Sequence, residues 1–242
     1  MKRSLLTSLL AVVAVTGLQA QAVPEVPKLV VGLVVDQLRM DYVEAFSAMY
    51  GERGFKRLWK EGRVYRNAEY DFAGVDKASS VASIYTGANP NVNGIVANAW
   101  MDRSTLRVIN CVDDTGFMGF YTSESTSSAR LKVSNLSDEL MIATQGEAEV
   151  YSIAPTREMA VLSAGHASKG AFWINDETGK WSGTTYYENF PNWVSSYNDR
   201  QGLDFRIGEM TWGPYLPVTS YKYLTTETKQ VTFKHKFDDE RR

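Results

Sequence analysis

The hydrophobic pattern of the chain alternates between short apolar runs and amphipathic stretches. The run from Leu29 to Val35 is apolar, largely β-branched and ends at Asp36, which is typical of a strand buried on both faces of a parallel sheet. By the same reasoning we predict further strands at 64–72, 149–154 and 171–174, and helices at 41–49, 54–60, 137–143 (capped by Ser137) and 156–163. This alternation predicts an α/β fold, with a mostly parallel sheet and helices on both faces.

One further helix is predicted from its ends as well as from its pattern. Asp76 is suited to the N-cap and Gly87 to the end of the helix, and the apolar residues between them share one face. The free N–H groups at such a helix start form an anion site. Ligands in open α/β sheets bind at the carboxyl ends of strands, so Asp36 is expected to lie nearby. A carboxylate beside an anion site suggests a metal ion next to a phosphoryl or sulfuryl group.

The two ends of the chain differ from its middle. Residues 1–22 combine a basic start, an apolar stretch too short to span a bilayer and the small-x-small sequence Ala20-Gln21-Ala22. They are therefore expected to be a signal peptide that directs export to the periplasm or the medium. This segment has no cysteine, so no lipid anchor in the membrane is expected. Residues 181–242 are aromatic-rich and less regular, and we expect them to form a cap or insertion.

Composition narrows the class of protein. Hydrophobic residues make up 44% of the chain and aromatic residues 12%, which excludes a disordered or collagen-like chain. The 26 basic and 28 acidic residues form no basic stripe, so neither nucleic acid nor an anionic membrane is an expected partner. With two histidines and one cysteine in the whole chain, any multi-metal or His-rich catalytic site is expected to be poor, incomplete or shared with another chain. We interpret Cys111 as a buried structural thiol, His166 as a structural hydrogen-bonding residue and His235 as surface.

Several motifs occur in the order found in a known family. They are KLVVGLVVDQ at 28–37 with Arg39, ASIYTG at 82–87 with NGI at 93–95, NAW at 98–100, AVLSAGH at 160–166, AFW at 171–173 and DETGKW at 176–181. This series resembles the alkaline phosphatase superfamily. The likeness is greatest to the secreted, phosphate-irrepressible alkaline phosphatases of Bacteroidetes and to the type I phosphodiesterase and nucleotide pyrophosphatase group.

The resemblance implies an alkaline phosphatase-like fold and a catalytic site. In this family a Thr or Ser at a helix start attacks phosphorus, and two zinc ions assist it. Asp36 matches a zinc ligand and Asn98 matches a contact to the phosphate oxygens, but the nucleophile position is occupied by Lys77. The phosphate-binding Lys-x-Arg pair falls on 156–158, where Arg157 remains a candidate substrate contact. The other zinc ligands lie further along in the longer family members. We therefore expect 23–180 to be the N-terminal part of the α/β domain, with 181–242 a truncated cap.

Two interpretations of the site remain open. Lys77 is either a solvated lysine at a helix start or a cation that occupies the zinc position and pairs with Asp36. Ser79 and Ser80 are weaker candidates for a substitute nucleophile. The aromatic residues after 180 are expected to pack in the core or cap rather than line a pocket: Trp181, Tyr186, Tyr187, Phe190 and Trp193.

Three functions follow from the resemblance and its departures. The first is an exported phosphate-ester hydrolase, a phosphomonoesterase or phosphodiesterase that acts on a small substrate with zinc as cofactor. The second is a catalytically inactive binding or scaffold protein on the same fold. The third is a non-functional fragment.

Overall fold

The computed structural model describes residues 27–187, 190–200, 207–208, 210–220 and 235–236. The chain divides into two units, residues 1–33 and residues 34–242. In the first unit, residues 27–33 are irregular, and Leu29, Val31 and Leu33 are exposed. All of the elements below belong to the second unit. The predicted signal peptide lies outside the described residues.

The second unit contains helices and strands of mostly modest length. The helices are α1 (Met40–Ala45), α2 (Phe55–Glu61), α3 (Lys77–Thr86), α4 (Pro90–Asn93), α5 (Leu136–Ala143), α6 (Arg157–Ala164) and α7 (Asn192–Arg200), with 3-10 turns at Ser47–Met49 and Val218–Ser220. The strands are β1 (Ala99–Asp102), β2 (Arg107–Asn110), β3 (Gly119–Phe120), β4 (Tyr151–Ala154), β5 (Gly170–Ile174), β6 (Trp181–Thr184), β7 (Thr211–Trp212) and β8 (His235–Lys236). No helix in the described ranges is both long and apolar enough to cross a bilayer.

The central sheet has the strand order β3-β6-β5-β4. Strands β4 and β5 are parallel, and they are linked through α6, whereas β5–β6 and β3–β6 are antiparallel. Strands β1 and β2 form a separate antiparallel hairpin, and β7 pairs with β8. The predicted α/β arrangement is thus present, and the parallel pairing among the described strands is confined to β4 and β5.

Strand β5 is buried on both faces. Successive side chains of a strand point to opposite sides, so the two faces are covered by different elements. Ala171 and Trp173 belong to the hydrophobic core that α3 and α6 complete. Phe172, between them, packs against Phe190 and against Trp193 of α7. Helices therefore cover both faces at β5, as predicted. The aromatic residues after 180 contribute to packing: the buried Tyr187 donates its hydroxyl to the carbonyl of Gly165.

Two predicted strands are wrong. Neither 29–35 nor 64–72 forms a ladder within the described residues, and the side chains of Val35 and Tyr65 are exposed. A β-branched apolar run fits a pleated, half-buried surface, but it forms a strand only where a neighbouring strand satisfies its backbone. The sequence pattern contains no information on that neighbour.

The predicted helices are present, with two corrections. The helix predicted at 41–49 ends at Ala45, and a 3-10 turn follows at Ser47–Met49. Helix α5 is capped by Asn135, whose side chain accepts a hydrogen bond from the backbone N–H of Asp138 in a capping box. Ser137, the predicted cap, lies inside the helix and donates its hydroxyl to the carbonyl of Ser163 instead. The cap is Asn135 because its side chain also bonds the carbonyls of Leu162 and Ser163, which joins the start of α5 to the end of α6.

Candidate functional site

Helix α3 begins in a reciprocal cap. The carboxylate of Asp76 accepts the backbone N–H of Ser79 at 2.9 Å, and the hydroxyl of Ser79 accepts the backbone N–H of Asp76 at 2.9 Å. The helix ends at Gly87, whose φ of 64° is the left-handed conformation that glycine adopts without strain. Ala78, buried in the core, and the cap together hold the first turn in place. Lys77, the first residue of the helix, is therefore presented from a firmly positioned backbone.

Asn98 is bonded to the same helix start. Its Oδ1 accepts the backbone N–H of Ala78 at 2.9 Å, and its own backbone N–H donates to Oδ2 of Asp76 at 2.6 Å. The N–H groups of Ala78 and Ser79, which the sequence suggested as an anion site, are thus bonded to side chains of the chain itself. Because Oδ1 of Asn98 is used in this way, its amide offers a ligand the Nδ2–H groups.

The structure brings Asp36, Lys77 and Asn98 together. The ammonium of Lys77 lies 3.5 Å from Oδ2 of Asp36, and both side chains are partly exposed, at 46% and 39%. All three residues line a cleft of about 620 Å³. The rest of the lining is mainly apolar: Val34, Val35, Gln37, Leu38, Tyr70, Val75, Asp76, Ser80, Val81, Ile84 and Met159.

Arg157 does not line this cleft. Its guanidinium is 13% exposed and lies 2.8 Å from Asp113, 3.3 Å from Glu124 and 3.6 Å from Glu158. These carboxylates come from three different segments, and they converge on the first residue of α6. The role of Arg157 as a substrate contact stays a prediction, and Arg157 is not among the residues that line the cleft with Asn98.

A family model for type I phosphodiesterases and nucleotide pyrophosphatases matches residues 30–241. The chain belongs to this family. It is 37% identical over 214 residues to the alkaline phosphatase PhoV of Synechococcus elongatus, covering 86% of this chain and 39% of PhoV. It is 34% identical over 222 residues to the alkaline phosphatase PafA of Elizabethkingia meningoseptica, covering 88% and 40%.

The fold agrees with this family assignment. The crystal structure of PafA superposes with a TM-score of 0.75 at 34% sequence identity, covering 81% of this chain and 38% of PafA. The predicted alkaline phosphatase-like α/β fold is therefore confirmed. The chain spans about two fifths of the length of the curated relatives it matches.

The described residues do not fit the zinc ions that the resemblance implies. Within the described ranges, no group of three or more His, Cys, Asp and Glu side chains is arranged to hold a metal ion. Asp36 contributes one carboxylate, and the cation beside it is Lys77.

The two candidate serines differ in their surroundings. Ser79 is fully buried, and its hydroxyl also bonds the carboxylate of Asp76 at 2.9 Å, so it serves the helix cap. Ser80 lines the cleft and donates its hydroxyl to the carbonyl of Lys77 at 3.0 Å. Of the two, Ser80 is the hydroxyl that a ligand in the cleft can approach.

His166 and Cys111 have the structural surroundings expected from the sequence. The ring of His166 contacts Asp138 and the carbonyl of Leu131. Asp138 is far from His166 in sequence, and no local signal pointed to their pairing. Cys111 is fully buried, and burial raises the pKa of its thiol to about 12. His235 lies in β8, and its side chain is outside the described part of the structure.

Proposed function

We propose that this chain is a non-hydrolytic, ligand-binding member of its family, with Lys77 as a permanent cation beside Asp36. The observation that carries the proposal is the 3.5 Å contact between the Lys77 ammonium and the Asp36 carboxylate. The ammonium of Lys77 compensates the partly exposed carboxylate of Asp36 without a metal ion. The charge of Asp36 is then balanced by a residue of the chain itself.

The chemistry of Lys77 supports the absence of turnover. The family mechanism needs an oxygen nucleophile that can be activated at the start of the helix. A lysine side chain is protonated at neutral pH, and an ammonium group has no free electron pair with which to attack phosphorus. The N–H groups of Ala78 and Ser79 are also bonded to Asn98 and Asp76, so they are not free to stabilise a developing negative charge.

The charges that line the cleft favour binding of a ligand with little negative charge. Its lining carries the carboxylates of Asp36 and Asp76 against the single ammonium of Lys77. Arg157, which would add a second cation, is paired with carboxylates elsewhere. A dianionic phosphate monoester would therefore face net negative charge, whereas a phosphodiester carries one charge and can use the apolar walls and the Nδ2–H groups of Asn98.

Hydrolysis and metal content test this proposal directly. The purified protein is assayed against an aryl phosphate and an aryl phosphodiester, with and without added zinc, and its bound zinc is measured by atomic emission. We expect no turnover above background and no stoichiometric zinc. Lys77→Ala and the exposed control Lys60→Ala should behave alike in this assay. Zinc-dependent turnover that survives Lys77→Ala would overturn the proposal.

A second candidate function is phosphate-ester hydrolysis with Ser80 as the nucleophile. The specific observation in its favour is that the hydroxyl of Ser80 lines the cleft beside Lys77. The similarity to alkaline phosphatases PhoV and PafA points in the same direction. If this candidate is correct, Ser80→Ala abolishes turnover and Ser123→Ala, at an exposed serine outside the cleft, does not.

We also propose that the protein is exported. The support is the order of basic, apolar and small residues in the first 22 positions. Fractionation of cells that express the chain tests this: the expected product is found in the periplasm or medium with residues 1–22 removed. Retention of these residues on a cytoplasmic product would contradict it.

A further inference from the structure

The imidazole ring of His166 lies between two hydrogen-bond acceptors. Its Nδ1 is 2.8 Å from Oδ2 of Asp138, and its Nε2 is 2.9 Å from the carbonyl oxygen of Leu131. A carbonyl oxygen and an ionised carboxylate can only accept hydrogen bonds. Both contacts are therefore made at once only when both ring nitrogens carry protons, that is, by the charged imidazolium.

Asp138 is held in its ionised form by backbone donors. Its carboxylate accepts the N–H groups of Asn135 at 3.1 Å, His166 at 2.6 Å and Ala167 at 2.8 Å. Burial works to raise the pKa of Asp138, but the bonds from His166 and the backbone outweigh it and leave the pKa below its usual value. The backbone N–H groups of the turn after α6 thus keep the Asp138 carboxylate in its ionised form, in which it can only accept hydrogen bonds.

The contact to Leu131 connects His166 and Asp138, through α4, with helix α3, which lines the cleft. Leu131 is buried in the core, and the next residue, Lys132, donates its backbone N–H to the carbonyl of Asn93 at 2.9 Å. Asn93 ends α4, and its side chain lies 3.4 Å from the hydroxyl of Ser83 in α3. Through these bonds the ring of His166 joins the start of α5 to the segment beside α4 and α3.

We propose that His166 is a pH-sensitive clamp, whose imidazolium holds Leu131 and Asp138 together and whose deprotonation releases the 131–132 segment. The neutral ring has one proton, and the carboxylate retains it on Nδ1. Nε2 then presents a lone pair to the carbonyl of Leu131, so this contact is lost.

The surrounding groups agree with a pKa of His166 above its usual value. The hydrogen bond that His166 donates to the carboxylate of Asp138 raises the pKa of His166 above its usual value near 6.5. Glu139 of α5 accepts a hydrogen bond from the hydroxyl of Ser134. Lys132 directly follows Leu131 in the sequence, and Lys169 lies three residues after His166. Tyr187, which bonds the carbonyl of Gly165, has a pKa raised well above its usual value by burial, so it stays neutral throughout. The last turn of α6 carries no ionisable side chain.

Histidine NMR is the direct test, because the chain has only two histidines. His235→Gln leaves His166 as the single histidine signal. We expect this signal to titrate above 6.5 and to show protons on both ring nitrogens below the transition. Titration at or below 6.5, or a ring that carries a proton on only one nitrogen below the transition, would overturn the proposal, and this measurement needs no variant at His166 itself.

Amide hydrogen exchange tests the release of the segment. After correction for intrinsic exchange, we expect exchange of the Lys132 amide to accelerate at least about ten-fold across the His166 titration. The Gly179 amide, bonded to Asn175 in a remote turn, should not respond. His166→Gln should remove the pH-dependent step at Lys132. The same step in this variant would show that another group is responsible.

Discussion

The ammonium of Lys77 and the carboxylate of Asp36 lie 3.5 Å apart at the start of α3. The two side chains remain 46% and 39% exposed. Solvent screens a pair of this kind, and such pairs contribute little to folding. The contact is therefore better understood as setting the charge of the cleft than as stabilising the fold.

Replacing Lys77 by alanine should change the free energy of unfolding by less than about 1 kcal/mol, because a partly exposed ion pair contributes about 0–1 kcal/mol. Urea denaturation in low and high salt measures the change, with exposed Lys60→Ala as the control. A loss of several kcal/mol, insensitive to salt, would show that the pair is structural.

Replacing Gly165 by alanine should destabilise the protein by more than about 2 kcal/mol. Its φ of 74° and ψ of −149° lie in a region that only glycine adopts freely, and an added Cβ would lie 2.4 Å from Oδ1 of Asn135. Gly146 is the matched control, because its φ is 87° but a Cβ there meets nothing within 4 Å. Gly146→Ala should cost about 1 kcal/mol. Equal losses for the two variants in thermal unfolding would mean that the contact with Asn135 is unimportant.

Replacing Asp76 by alanine should cost about 1–2 kcal/mol of stability, because α3 loses its side-chain cap. The backbone N–H of Asn98 also loses its acceptor, which should loosen the first turn around Lys77. Thr156→Ala is a suitable control, since Thr156 precedes α6 without a side-chain cap bond. We expect that variant to lie within about 0.5 kcal/mol of the parent protein in urea denaturation. A larger loss at Thr156 than at Asp76 would contradict this interpretation of the caps.

Cys111 should resist alkylation in the folded protein. Its thiol is fully buried, and burial raises its pKa to about 12, so the reactive thiolate is scarce at about pH 8. We expect iodoacetamide to label the protein only as fast as it unfolds, and rapidly in urea. Because the chain has a single cysteine, mass spectrometry reports the rate without ambiguity. Fast labelling under native conditions would show that the site opens locally.

The pair of Asp138 and His166 should make stability depend on pH in opposite directions. The pKa of Asp138 is lowered, so its contribution is present above its usual pKa near 3.8 and is lost as the pH falls through the folded value. The pKa of His166 is raised, so its contribution is full below about 6.5 and is lost as the pH rises through the folded value. Urea titrations across this range measure both limbs, and Asp138→Asn should flatten them. A wild-type profile that stays flat on the alkaline side would contradict the role of His166.

Local signals were sufficient where a helix end depends on neighbouring residues. Asp76 and Gly87 were recognised as the limits of α3 because an N-cap carboxylate and a left-handed glycine act within one turn of the helix. The sequence pattern does not separate Ser137 from Asn135 as the cap of α5, because both residue types suit that position, and the bonds of Asn135 to the end of α6 decide between them.

The sequence by itself determined the family motifs, the α/β class, the limits of α3 and the lysine, Lys77, at the start of that helix. Only the tertiary structure decided that Lys77 meets Asp36, that Arg157 is held by carboxylates outside the cleft, and that His166 pairs with Asp138. It also showed that 29–35 and 64–72 form no strands among the described residues. The physical reason is the same in each case: ion pairs and strand pairing depend on groups distant in the sequence, whereas caps and helical faces depend on residues within a few positions.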